Sequence, residues 1–166
     1  AHYLAASRIR MTDSLLQRRF IAYLAAKDLE GATKMVGDYL AKTPVSRPAL
    51  RLQAGLSLRI GDPQRSGAIL DYLRQTGSGS DVQLLADLAF IRLGTGLPEL
   101  GEEAAMQAYR LQPSSAMAAQ ALAQSYAHLG IRREDALSLL DKAEQIWGKN
   151  ELTSETRDQL KQKSHN

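Results

Sequence analysis

Apolar residues recur every three or four positions along most of the chain, and turn-forming residues interrupt this pattern at regular points. Leu16, Phe20 and Leu24 illustrate the spacing, which places side chains on one face of a helix. Asp62-Pro63 illustrates the interruptions, because an N-cap residue followed by proline favours a helix start. The pattern predicts nine helices, over about residues 13–26, 29–42, 47–60, 63–75, 81–93, 98–111, 116–129, 133–147 and 154–163.

The helices form pairs that repeat with a period of 34 to 35 residues. The clearest copy runs from Tyr126 to Ala143 and has an aromatic residue, a glycine turn and small residues at fixed places. A period of this size is typical of stacked helical hairpins that bury a continuous core. The corresponding residues are Tyr23, Ala32, Val36 and Pro44; Ile60, Gly61, Ser66, Leu70 and Leu73; Phe90, Gly94, Ala105, Ala108 and Pro113; and Tyr126, Gly130, Ala136, Leu140 and Ala143.

These positions resemble the tetratricopeptide repeat, in a degenerate form like that of bacterial members. The resemblance implies an all-α fold, a right-handed α-solenoid of about four helical hairpins followed by a C-terminal capping helix. The second copy departs most from the family pattern, because Gln53 and Ser57 stand where large apolar residues belong. The implied organisation is a remnant of an upstream helix at 1–12, repeats at about 13–46, 47–79, 80–114 and 115–150, and a capping helix and tail at 151–166.

Composition narrows the possible functions without selecting one. Hydrophobic residues make up 44% of the chain and aromatic residues only 5%, a mixture that suits packed helices better than a sheet. The absence of cysteine excludes disulfides and thiolate metal sites. The net charge is +3, and the basic residues are spread along the chain, which argues against a nucleic-acid partner. No apolar run approaches the roughly 18 residues needed to span a bilayer.

The expected location is therefore the bacterial cytoplasm or periplasm, as a soluble protein, with the compartment left open. Because the chain begins at Ala1 without methionine, we expect it to be an excerpt or a processed form. Tyr3, Leu4 and Ile9 indicate the remains of an upstream helix, so we expect the parent protein to continue N-terminally.

In the tetratricopeptide family, five positions of each repeat line a concave face formed by the first helix of each hairpin. The resemblance therefore implies a peptide-binding groove with an apolar strip and arginines at its edges, in which Arg59 and Arg92 occupy the same repeat position. The alternative is that Leu84, Leu88 and Ile91 pack against the adjoining hairpin and that the register is one residue off. The implied groove residues are Gln17, Ile21, Leu24, Arg51, Leu58, Arg59, Leu84, Leu88, Ile91, Arg92, Gln120, Gln124 and His128.

No constellation of residues in the chain indicates catalysis. His128 has no cysteine, histidine or paired acid at metal-ligand spacing on its predicted helix. Glu102 and Glu103 are adjacent on a predicted helix, so their carboxylates point about 100° apart and do not share a site. We therefore expect no enzymatic activity, no catalytic residue, no cofactor and no metal.

The leading functional hypothesis is a noncatalytic scaffold that binds a peptide or a partner subunit in the concave groove. One alternative is an RNA-binding helical repeat, but the base-reading positions hold Gln17, Arg51, Leu84 and Gln120 instead of short polar residues. Another alternative is a regulatory or targeting segment of a larger enzyme or secretion complex. The sequence does not identify the partner or the oligomeric state.

Overall fold

The computed structural model describes residues 11–162, and within this range all regular structure is helical, with no strand. The predicted all-α class is therefore confirmed. The predicted upstream remnant lies outside the described residues except for residues 11 and 12, as does the tail from residue 163 onward. The helices are α1 (Asp13–Ala25), α2 (Leu29–Lys42), α3 (Arg47–Arg59), α4 (Pro63–Leu73), α5 (Val82–Gly94), α6 (Pro98–Leu111), α7 (Ala116–Leu129), α8 (Arg133–Trp147) and α9 (Glu151–Gln162).

Most helices start where the sequence places a capping residue. The Asp28 carboxylate accepts a hydrogen bond from the Gly31 amide at 2.8 Å, and the Asp62 carboxylate accepts one from the Arg65 amide at 3.0 Å. Ser115 caps α7 in the same way. Each bond satisfies a backbone N–H that the first turn of the helix leaves open. The local chemistry of the chain therefore sets these helix starts.

The start of α9 differs from the prediction. The sequence favours Thr153 or Ser154 as its cap, but the helix begins at Glu151. The Asn150 side chain accepts a hydrogen bond from the Thr153 amide at 3.0 Å, and the Thr153 hydroxyl accepts one from the Asn150 amide at 3.2 Å. This reciprocal pair is a capping box, with Asn150 as the cap and Thr153 inside the first turn.

Contacts divide the chain into two compact units, residues 1–61 and 62–166. We call these unit 1 and unit 2. The division lies inside the predicted second repeat, whose two helices, α3 and α4, belong to different units. In unit 1, α1, α2 and α3 pack against one another. Their shared core consists of Leu16, Phe20, Ala32, Val36, Ala49 and Leu56.

Unit 2 contains α4 to α9, and small residues lie where its helices approach most closely. Ser66, Ala105 and Ala136 share one repeat position in the sequence and are completely buried. On α6 and α8, a small side chain at this position lets the helix lie close to its hairpin partner, α5 or α7. In the last part of the unit, α9 packs on α7 and α8.

One arginine attaches α9 to α8. The Arg157 guanidinium donates hydrogen bonds to Glu144 at 2.9 and 3.2 Å and to Asp141 at 2.5 Å. The bond from Arg157 lowers the pKa of the Glu144 carboxyl below its ordinary value, so this carboxyl stays ionised to a lower pH than an ordinary glutamate. The polar helix α9 thus combines an ionic attachment with the buried side chains of Thr153, Thr156 and Leu160.

Two helical glycines should respond in opposite ways to alanine. A Cβ at Gly101 would lie 3.0 Å from Leu93 Cγ and 3.2 Å from the Ala89 carbonyl oxygen, where α6 meets α5. Gly101→Ala should therefore lower the free energy of unfolding by about 1–3 kcal/mol. A Cβ at Gly37 in α2 would meet nothing within 4 Å, so Gly37→Ala should raise it by about 0.5–1 kcal/mol.

Urea denaturation followed by circular dichroism measures both effects. A Gly101→Ala protein as stable as wild type would show that α5 and α6 can separate without loss, contrary to the packing at this contact.

Candidate functional site

In unit 1, part of the predicted groove is open to solvent. Helices α1 and α3 pack against each other, and both carry apolar side chains that point out of the core. Ile21 on α1 is 66% exposed, and Leu58 on α3 is 44% exposed. Gln17 is also exposed, whereas Leu24 is half-buried. Two neighbouring helices therefore present apolar surface that the fold of unit 1 does not use.

The same two helices are strongly cationic. Apart from Arg19, which lines a groove toward α2, they contain four arginines and one carboxylate, Asp13. That carboxylate is already engaged, because it accepts hydrogen bonds from the Tyr39 hydroxyl at 2.8 Å and the Ser46 hydroxyl at 2.6 Å. The surface of α1 and α3 thus combines apolar side chains with positive charge, and we call it the first-helix face of unit 1. Its predicted residues are Gln17, Ile21, Leu24, Arg51, Leu58 and Arg59.

In unit 2, the structure corrects the predicted groove on α5. Leu84 and Leu88 are completely buried, and Ile91 is 7% exposed, so these side chains form the interior of the unit and offer no surface to a partner. The more open positions are Gln83 and Asp87, each one residue before a predicted position. One residue corresponds to a rotation of about 100° on a helix. The burial of Leu84, Leu88 and Ile91 therefore agrees with the packing part of the alternative interpretation.

Arg92 also has a different role from the predicted one. It is 7% exposed, and its guanidinium donates to the Asp71 carboxylate at 2.7 Å and to the Leu100 carbonyl at 3.0 Å. These bonds connect α5 to α4 and to the first turns of α6. Arg59, at the same repeat position, is exposed and reaches only the Gly55 carbonyl of its own helix, at 3.3 Å. Arg59 therefore contributes to the surface, whereas Arg92 belongs to the contacts between helices.

On α7, the predicted residues form a partly enclosed polar row. Gln120 is 1% exposed, and its side-chain nitrogen has no hydrogen-bond partner among the described residues. Gln124 and His128 are half-buried, and a ring nitrogen of His128 lies 3.1 Å from the Gln124 carbonyl oxygen. Gln120 is thus an interior residue, while Gln124 and His128 keep some contact with solvent.

The described residues were also compared with the requirements of a metal site and of a membrane-spanning helix. Within residues 11–162, no cluster of three or more histidine, aspartate or glutamate side chains has the arrangement needed to hold a metal ion. In the same range, no helix has the length and apolar character that crossing a bilayer requires.

Solved structures of tetratricopeptide-repeat proteins are similar to this chain. One such protein from Parabacteroides merdae superposes with a TM-score of 0.70 and 15% sequence identity, over 93% of this chain and 60% of that chain. A thermophilic member from Thermus thermophilus gives a TM-score of 0.69 and 20% identity, over 92% of this chain and 81% of that chain. The APC/C hetero-tetramer Cut9–Hcn1 gives a TM-score of 0.73 and 15% identity, over 92% of this chain and 30% of that chain.

No protein-family model and no curated protein sequence matches the chain. The chain spans less than two thirds of the length of two of these three structures. At such low sequence identity, the shared property is the fold. The chain therefore has the helical-repeat fold of tetratricopeptide-repeat proteins, in agreement with the period of its sequence.

Proposed function

We propose that this protein is a noncatalytic scaffold whose first-helix face in unit 1 binds an acidic segment of a partner protein. The observation that carries this proposal is the pairing of exposed Ile21 and Leu58 with an arginine-rich surface on two neighbouring helices. The apolar side chains supply contact area that excludes water, and the arginines attract carboxylates on the partner.

The fold and the content of the face both support a protein partner. One protein of similar fold, Cut9–Hcn1, was crystallised as a hetero-tetramer. The first-helix face also lacks exposed aromatic rings, since Phe20 is buried and Tyr23 is half-buried. Single-stranded nucleic acids are usually held by stacking on such rings. An acidic peptide with one or two apolar anchors fits this surface better.

Charge reversal on α3 tests the proposal. Peptides that bind the wild-type protein are first selected from a random displayed library, and their binding rates are then measured by surface plasmon resonance. Arg51→Glu combined with Arg59→Glu should lower the association rate by roughly tenfold at low salt, because steering of the acidic peptide is lost. Ile21→Ala should mainly speed dissociation, since it removes apolar contact.

The matched control reverses two exposed arginines of unit 2, Arg65→Glu with Arg133→Glu. This variant has the same net charge as the α3 variant, so at each salt concentration it should keep more of the wild-type association rate than the α3 variant. At physiological salt, where distant charges are screened, its association rate should stay within about twofold of wild type. Equal losses in both variants would show that only overall charge matters. Selected peptides without an excess of acidic residues would contradict the proposed partner chemistry.

A further inference from the structure

The two units carry opposite net charges. Residues 1–61 hold ten of the 21 basic residues and four of the 18 acidic residues, which gives a net charge of +6. Residues 62–166 hold eleven basic and fourteen acidic residues, which gives a net charge of −3. The net charge of the whole chain, +3, is the sum of these two opposite values. Each copy of the chain therefore has a cationic and an anionic part.

Within unit 1, a groove of about 390 Å³ lies between α1 and α2, on a different surface from the first-helix face. Its floor contains half-buried methionine and tyrosine side chains, and its edges contain cations from both helices. The Tyr23 ring lies close to the Gly31 backbone, and a larger residue would clash there, because a Cβ at this position would lie 2.5 Å from the ring. We call it the basic groove; its main residues are Met11, Arg19, Tyr23, Lys34, Met35 and Lys42.

The cations at its edges are largely unneutralised. The one carboxylate that lines the basic groove, Asp38, pairs with Lys34 of the same helix at 2.7 Å. Arg19 on α1 and Lys42 on α2 are exposed and form no ion pair with any described residue. A helix lying in the basic groove would therefore meet positive charge contributed by both walls and apolar side chains beneath.

Unit 2 presents a surface of the complementary kind on α6. Glu99, Glu102, Glu103 and Met106 follow one another at spacings of three, one and three residues. Glu99 and Met106 lie three or four residues from both Glu102 and Glu103, so the four residues border one broad side of this helix, although the Glu102 and Glu103 carboxylates diverge by about 100°. They line a depression of about 540 Å³, together with Leu111, which is 47% exposed. None of the three carboxylates forms an ion pair with a described residue. We call this stripe the acidic ridge; Arg110 is the only basic residue that lines it.

We propose that the acidic ridge of one copy of the chain binds in the basic groove of a second copy. The ridge complements the groove, because its carboxylates can pair with Arg19 and Lys42 and Met106 can pack on the apolar floor. Because the two surfaces differ, the contact is heterologous, and a pair held by one such contact still offers a free groove on one copy and a free ridge on the other. Association therefore continues beyond a dimer, into a ring or a filament.

Sedimentation velocity of the full chain tests this proposal. From about 1 to 200 μM in about 20 mM salt, the weight-average mass should rise with concentration, and about 500 mM salt should reverse the rise by screening exposed charges. Arg19→Glu with Lys42→Glu should weaken association at least about tenfold, as should Glu102→Lys with Glu103→Lys. An equimolar mixture of these two variants should recover association, because the native acidic ridge of the first variant then meets the native basic groove of the second.

Two controls separate this inference from the proposed function. Arg51→Glu with Arg59→Glu alters the first-helix face and should leave self-association unchanged. Glu151→Lys with Glu155→Lys makes the same charge change on exposed positions of α9, which does not line the acidic ridge, and should also leave self-association unchanged. Circular dichroism verifies that every variant is folded.

Three results would overturn the inference. The first is a chain that stays monomeric at every concentration and salt. The second is association that neither reversal weakens or that the mixture of variants does not recover. The third is binding of a synthetic peptide of residues 96–112 to a chain that itself remains monomeric, which would assign the basic groove to an acidic helix of another protein.

Discussion

Replacing Leu88 by alanine should lower the free energy of unfolding by about 2–5 kcal/mol. Leu88 is completely buried in α5, so the change removes apolar contacts on all sides and leaves a cavity. The loss is large because neighbouring helices on several sides, α4, α6 and α7, hold α5 in place and limit the collapse of the cavity. Urea denaturation followed by far-ultraviolet circular dichroism measures the effect.

Leu58→Ala is the matched control, since the same side chain is removed from a position that is 44% exposed. It should change the free energy of unfolding by no more than about 0.5 kcal/mol. If Leu88→Ala were as mild as Leu58→Ala and instead accelerated the dissociation of a bound peptide, Leu88 would belong to an open groove as the family resemblance implies. The two variants together therefore determine which face of α5 is buried.

The helix starts could be predicted because they depend on residues close together in the chain. Asp62-Pro63 begins α4, and the Asp62 carboxylate accepts the expected hydrogen bond from the backbone. Gly130 ends α7 with a φ of 70°, a conformation that glycine adopts without strain. The positions of the small buried residues in each repeat could be predicted for the same reason, since Ala105 and Ala136 are recognisable by residue type. These features require no knowledge of the tertiary contacts.

The rotation of α5 could not be predicted with the same certainty. Eight of its thirteen residues are buried, so apolar side chains occupy most of its circumference. The hydrophobic periodicity therefore does not indicate which side of the helix faces solvent. The remaining signal was the polar pair Gln83 and Asp87, which are four residues apart and mark the more open side. The family positions carried onto α5 place Leu84 and Leu88 on the open side, but both side chains are buried.

Polar contacts between residues far apart in the chain could not be predicted from the hydrophobic periodicity either. Asp13 is a plausible cap by type, yet Thr12 caps α1, and the Asp13 carboxylate binds Tyr39 and Ser46 from 26 and 33 residues away. Likewise, nothing in the spacing of Arg157 indicated that it would bind α8. Such pairs depend on how helices meet, and periodicity reports only which face of each helix is buried.

Arg92→Ala should lower the free energy of unfolding by about 2–4 kcal/mol. The Arg92 side chain is 9% exposed and donates both to the Asp71 carboxylate and to the Leu100 carbonyl, so its removal leaves two acceptors without their donor. The loss is smaller than for a fully enclosed pair, because Asp71 is 30% exposed and lies 3.4 Å from Arg74 Nε. Thermal and urea denaturation measure the change.

Arg92→Lys provides the informative comparison. Lysine keeps the charge but presents one ammonium group instead of a planar fork, so it should recover only part of the lost stability. Arg65→Ala, at an exposed position of α4, is the control and should be nearly neutral. Combining Arg92→Ala with Asp71→Ala should cost less than the sum of the single changes, because the two residues interact directly. If Arg92→Ala were as stable as wild type and bound a selected acidic peptide more slowly, Arg92 would belong to the binding surface. It would then lie beside Arg59 at the edge of the groove, as the family resemblance implies.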